Sequence, residues 1–99
     1  MNQVTIEEFY DIVKADEPVN ILDVRPRELY EEGHVPGAVH FPLSQIEDHL
    51  DDLDKDQVYY VICHDGKGSK KGTEILEKNG FNAVNVEKGT PDYPGELEK

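Results

Sequence analysis

The six residues Val58-Tyr59-Tyr60-Val61-Ile62-Cys63 restrict the fold more than any other stretch of this 99-residue chain. They are β-branched, aromatic or apolar throughout and bounded by polar segments, which predicts a strand. That strand carries Cys63, the single cysteine of the chain, to its C-terminal end. The glycine-bearing stretch His64 to Gly68 follows. Ser69 is then placed to cap a helix that turns Ile75 and Leu76 inward and stops at Gly80.

Strands and helices alternate along the rest of the chain. Thr5 and Glu8 have the spacing of a capping box, and Ile6, Phe9, Tyr10 and Val13 repeat at helical intervals, predicting a helix that ends near Asp16. After Pro18, the run Val19 to Val24 is apolar enough for a strand buried on both faces. Pro26 opens a short helix through Glu32, and Gly33 ends it. His34-Val35-Pro36-Gly37-Ala38 reads as a turn, Val39 to Phe41 as extended, and Pro42 closes that strand. Ser44 and Glu47 give a second capping-box match ahead of an apolar stripe of Ile46, Leu50 and Leu53. Phe81 to Val86 is a last strand, and the tail from Gly89 to Gly95 is irregular. This order predicts an α/β fold: one domain over residues 1–99, with a central, mainly parallel sheet flanked by helices on both faces. In such sheets ligands bind beyond the carboxyl ends of the strands, which is where Cys63 stands.

A net charge of −12 opposes loose binding to nucleic acid or to anionic lipid, so neither partner is expected. No segment approaches the roughly 20 apolar residues of a membrane helix, and the expectation is a soluble, cytoplasmic protein. One cysteine allows no internal disulfide and no CxxC zinc cluster, in keeping with a reducing compartment. His34, His40, His49 and His64 stand in no metal-binding spacing, so neither a metal nor another cofactor is expected.

The position of Cys63 supports two readings. A thiol where a strand meets a glycine-bearing loop and a helix start faces the partial positive charge of exposed N–H groups, which favours the reactive thiolate. Gly66 and Gly68 allow the loop to curl into a nest for an anion or a persulfide, and Lys67, Lys70 and Lys71 add a dense cluster of positive charge. Equally, a free cysteine at a strand end can be a small buried hydrophobe.

Leu22-Asp23-Val24-Arg25, the acidic helix after it, Gly33-His34-Val35-Pro36-Gly37-Ala38 and Phe41-Pro42-Leu43 resemble the N-terminal signature of the rhodanese-like domain family. The stretch from Tyr60-Val61-Ile62-Cys63 through Gly66, Ser69, Leu76, Gly80-Phe81 and Val84-Asn85-Val86-Glu87 to Gly89 resembles that family's active-site half. Each fragment is weak, but their order and spacing together are specific and cover essentially the whole chain.

The resemblance implies a sulfurtransferase or sulfur carrier in which Cys63 takes sulfane sulfur as a persulfide and passes it to a thiol or cyanide. It implies a donor such as thiosulfate, polysulfide or a protein persulfide, and a thiol acceptor. Cys63 would be the nucleophile, with His64, Asp65, Gly66, Lys67, Gly68 and Ser69 forming the anion- or persulfide-binding loop. Cys63 to Gly68 is six residues, the loop length of sulfurtransferase members, where phosphatase and arsenate-reductase relatives carry one more. The position that holds a closing arginine in many active members is Gly68 here, which offers no bidentate fork, and Asp65 adds a negative charge. Strong thiosulfate turnover is therefore not expected, and a non-catalytic module that binds a partner protein through this loop is the alternative. Asp23 and Arg25 resemble the family's structural ion pair, and His34 is expected to hold its turn rather than act as a base. Tyr93 stands where members often have an aromatic residue near the loop.

Overall fold

The computed structural model describes residues 1–15 and 17–99. Its centre is a five-stranded sheet in which every pairing is parallel, in the order β1-β5-β4-β2-β3. The strands are β1 (Asn2–Val4), β2 (Asn20–Asp23), β3 (Ala38–His40), β4 (Val58–Ile62) and β5 (Asn82–Val86). The three-residue strands β1 and β3 form the two edges.

Period-two alternation along the central strands feeds two cores, one on each face of the sheet. Leu22, Tyr59, Val61, Cys63 and Ala83 point to one face, against Leu76 of helix α3 (Lys67–Lys78) and Ile46 of a 3-10 segment, Leu43–Asp52. Ile21, Ile62 and Val86 point to the other, against Ile6 and Phe9 of helix α1 (Ile6–Lys14), with Tyr30 of helix α2 (Arg27–Glu32) packed alongside. The tyrosine pair splits the same way: Tyr59 joins the first core, and Tyr60 packs against Phe9 on the second. The expected parallel sheet with helices on both faces is the fold observed.

The helix from Thr5 starts as expected: the Thr5 hydroxyl accepts from the Glu8 N–H at 3.0 Å, and the Glu8 carboxylate accepts from the Thr5 N–H at 2.8 Å. It ends at Lys14, and the expected terminus near Asp16 lies outside the described residues. The second capping box does not form. Leu43 N–H donates to the Val24 carbonyl, and Gln45 N–H to Pro42, so the turn begins before Ser44 and leaves its hydroxyl inside the segment. The segment is of 3-10 type with a break at His49, although Ile46, Leu50 and Leu53 still pack on the first core. β1 was not foreseen, because Asn2 and Gln3 give no apolar signal; the strand exists because β5 supplies a partner.

The chain leaves β2 through α2 toward β3 and leaves β4 through α3 toward β5, on the opposite side. β2 and β4 are neighbours, so their carboxyl ends flank the point where the order of strands reverses, the usual crevice for a ligand in such sheets.

Two local structures fix that crevice. Arg25 closes on Asp23 with Nε–Oδ1 at 2.9 Å and Nη2–Oδ2 at 2.7 Å, and Nη2 also donates to the Gly33 carbonyl at 2.8 Å. Both side chains are buried, so the pair is an internal staple between the end of β2 and the end of α2. On the β5 side, Thr90 N–H donates to the Cys63 carbonyl at 2.9 Å and draws Gly89 against the backbone of Cys63 and His64. A side chain at position 89 would overlap the His64 and Cys63 carbonyls, so glycine is required there by contact.

Gly89→Ala should therefore lower unfolding free energy by about 1–3 kcal/mol or more, measured by denaturant titration, because the obstacle is backbone. Asp23→Ala, which leaves a buried guanidinium without its carboxylate, should cost about 3–5 kcal/mol in the same assay.

Candidate active site

Cys63 follows β4 directly and is 4% exposed, so its sulfur is recessed beneath the loop that leads into α3. The loop turns over it because Gly66 adopts φ 88°, a left-handed conformation that glycine enters without steric cost. A Cβ at Gly66 would also press to 3.2 Å against the backbone N and O of Lys88, itself at φ 64°. Asp65 Oδ1 accepts from the Lys67 N–H at 3.0 Å and shapes the start of the helix. Gly66 is the N-cap, and α3 begins at Lys67.

This start corrects the expectation that Ser69 caps α3. The helix begins three residues earlier, and Ser69 lies in its first turn with its side chain turned into the core, where it is fully buried. Its hydroxyl lies 3.3 Å from Cys63 Sγ, 3.2 Å from the Gly66 carbonyl and 3.4 Å from the Val86 carbonyl. One hydroxyl proton serves these acceptors in turn. With a protonated thiol, the thiol donates to Ser69 Oγ and the serine donates to a carbonyl. With an anionic sulfur, the serine O–H can rotate toward Sγ.

The Gly66 N–H donates to Cys63 Sγ at 2.9 Å. Gly68 and Ser69 lie in the first turn of α3, whose N–H groups have no carbonyl one turn back within the helix. One backbone donor, the Gly66 N–H, therefore faces the sulfur directly, and the Gly68 and Ser69 N–H groups that follow are left without a helical partner. Lys67, Lys70, Lys71 and Lys88 are exposed around it, and none forms an ion pair among the described residues. Among the described residues no group of His, Cys, Asp and Glu is gathered to hold a metal.

The other sequence candidates have different surroundings. His64 and Asp65 are exposed, and His64 meets Gly89 through its carbonyl. Asp23 and Arg25 satisfy each other at the neighbouring strand end. His34 Nδ1 donates to the Tyr30 carbonyl at 2.9 Å, and its ring stacks on Tyr30 at 3.9 Å; no partner of His34 lies in the cysteine loop. Tyr30 is held between His34 and His40 with its hydroxyl donating to the Ala38 carbonyl at 2.7 Å. Burial first, then the Asp23 and Glu98 carboxylates, raise its pKa, so the phenol keeps the proton it donates. Tyr93 packs edge-on against Phe9 and Tyr10, so its ring belongs to the α1 side and not to the loop wall. Two residues were missed: Thr90, which fixes the Cys63 carbonyl, and Leu43, which reaches the loop at Gly68. Thr90 lies in a tail without periodicity, and Leu43, although part of the signature Phe41-Pro42-Leu43, gives no sign in the sequence that it reaches the cysteine loop.

A model of the rhodanese-like domain family matches residues 5–95. The chain is 40% identical, over 97% of its length, to a Bacillus subtilis protein named as a candidate sulfur carrier, YrkF, and spans about half of that protein, 52%. It is 30% identical to the thiosulfate sulfurtransferase GlpE of Coxiella burnetii, over 83% of this chain and 76% of that one. Among solved structures, the Staphylococcus saprophyticus protein SSP1007 superposes with a TM-score of 0.94 at 38% identity, each chain covered in full. A rhodanese-like domain protein from Staphylococcus aureus gives 0.91 at 38% identity, covering 99% of this chain and 97% of that one. With a recessed cysteine at the strand end, a donor-lined loop ahead of α3 and these relatives, the chain belongs to the rhodanese-like domain family.

Proposed function

We propose that this protein is a sulfurtransferase or sulfur carrier in which Cys63 accepts sulfane sulfur as a persulfide and passes it to a thiol or cyanide. The observation that carries this reading is the Gly66 N–H aimed at Cys63 Sγ at 2.9 Å, at the N-terminus of α3. The sulfurtransferase and sulfur-carrier names of its relatives support it. Cys63 is the nucleophile, the N–H groups from Asp65 to Ser69 hold the outer sulfur, and the Ser69 hydroxyl follows the charge on Sγ. Asp23, Arg25 and His34 shape the neighbouring strand end and turn. Residues 1–99 act as one rhodanese-like domain, since β1 lies outside the matched segment 5–95 and pairs with β5. A cytoplasmic, reducing setting suits a single thiol that must return to its reduced form.

In the reaction the Cys63 thiolate attacks the sulfane sulfur of a donor, the donor's bond to that sulfur breaks, and the electron pair leaves with the remainder of the donor. An acceptor thiolate or cyanide then attacks the outer sulfur and frees Cys63. A second reading, a module that only binds a partner protein through this loop, is favoured by the absence of a side chain at Gly68 and by the negative charge of exposed Asp65.

Intact-protein mass spectrometry after incubation with polysulfide, and separately with thiosulfate, decides between them. The expected result is the gain of one sulfur atom, reversed by cyanide or reductant and absent in Cys63→Ser. No gain with either donor, in a folded protein whose thiol is accessible, overturns the carrier reading in favour of the binding module. Gly68→Arg should raise thiosulfate turnover about tenfold, since it supplies a charge-assisted fork for the sulfonate. An unchanged rate in a normally folded variant would show that the fork is not what limits thiosulfate.

A further inference from the structure

A cleft of about 730 Å³ opens along the edge strand β3, and no residue from Cys63 to Ser69 lines it. That volume is typical of a ligand site. The floor is apolar: Leu22, Phe41 and Tyr59 are buried beneath it, Leu53 is half-buried, and Val39, in the middle of β3, is 57% exposed. Two acidic elements border this floor. α2 carries Glu28, Glu31 and Glu32, and the 3-10 segment carries Glu47, Asp48, Asp51 and Asp52; Glu28 and Asp52 line the cleft itself. All seven are exposed, and among the described residues only Asp52 has an ion-pair partner, His49 at 3.4 Å. Arg27 is the single lysine or arginine in the lining. The open edge of β3 offers little to a partner strand. The Ala38 N–H donates to the Val35 carbonyl at 2.9 Å, the Ala38 carbonyl accepts from the Tyr30 hydroxyl at 2.7 Å, and Pro42 follows without an N–H. An occupant is therefore held by side chains and not by a backbone ladder.

We propose that this cleft is a docking site for a basic segment of a partner protein. The segment seats an apolar side chain on Val39 and Phe41 and sets lysine or arginine residues against α2 and the 3-10 segment. Charge orients its approach, and burial of the floor holds it. A small amine would meet the carboxylates and leave the floor wet, whereas a neutral apolar molecule would leave the charge unanswered. A protein segment that alternates basic and apolar residues answers both. The site also borders the cysteine loop. Pro42 and Ser44 line the cleft, while Leu43 between them reaches the loop at Gly68, so a docked partner lies one residue of chain from it.

The test selects random peptides displayed on phage against the immobilised full chain, then titrates the enriched peptides by fluorescence anisotropy. Selection should enrich sequences that combine lysine or arginine with leucine or aromatic residues. Their dissociation constants should rise about tenfold in Val39→Asp. That variant adds a negative charge, so a peptide held by charge alone would bind it as well as the wild type or better. Val39→Ser should weaken binding in the same direction and covers the case in which aspartate disturbs the edge strand, with circular dichroism checking the fold of both. Glu28→Gln combined with Asp52→Asn should weaken binding about threefold at low salt, and the difference should shrink as salt is raised. Spermine, which carries charge without an apolar body, should not displace the peptide at concentrations near the peptide's own dissociation constant. Failure to enrich any peptide, enrichment of neutral or acidic ones, unchanged binding in folded Val39 variants, or displacement by spermine overturns the proposal. None of these outcomes bears on sulfur loading at Cys63, which mass spectrometry reads separately.

Discussion

The position of the sulfur depends on one strand. β4 is hydrogen-bonded to β2 on one side and β5 on the other, and its residues alternate between two cores, so neither translation nor a register slip is open to it. Cys63 inherits that rigidity as the residue that leaves the strand. The Thr90 contacts then fix its carbonyl, and the turn at Gly66 brings an N–H back onto its sulfur. A thiol held this way is placed by the whole sheet, and a change in the loop meets a target that does not move with it.

What one sequence shows and conceals follows from where each signal is stored. β2 and β4 were legible because burial on both faces demands a continuous apolar run. Cys63 was legible because it stands at the end of such a run ahead of glycines. β1 was not, since Asn2 and Gln3 form a strand only through pairing with β5. The capping motif at Ser44 misled because a tertiary bond, Leu43 to Val24, set the start of the turn first. Ser69 misled in the same way: left-handed Gly66 began α3 three residues earlier and turned the serine from a cap into a buried partner of the sulfur. The family resemblance supplied what spacing could not, an expectation for the loop as a unit.

The charges on α3 run against the preference of an isolated helix. α1 carries Glu7 and Glu8 in its first turn and Lys14 in its last, matching the helix dipole, whereas the first turn of α3 has no acid and begins with lysine. Lys67 and Lys70, three residues apart, and Lys67 and Lys71, four apart, also repel one another. These are small costs at an exposed surface, and the same charges favour an anion at that end of the helix. In a chain of net charge −12, they make the surroundings of Cys63 locally opposite in sign to the rest of the molecule.

The shortness of the edge strands has a consequence for life at high concentration. A parallel sheet ends in two rows of unpaired backbone groups, and each is an invitation to a neighbouring chain. Here both rows are only three residues long, and one of them begins with Asn2 and Gln3. Few ladder bonds can form across such an edge, and two copies approaching it carry the same strong negative charge. The sheet that immobilises the recessed cysteine thus offers a neighbouring chain little edge on which to add a strand.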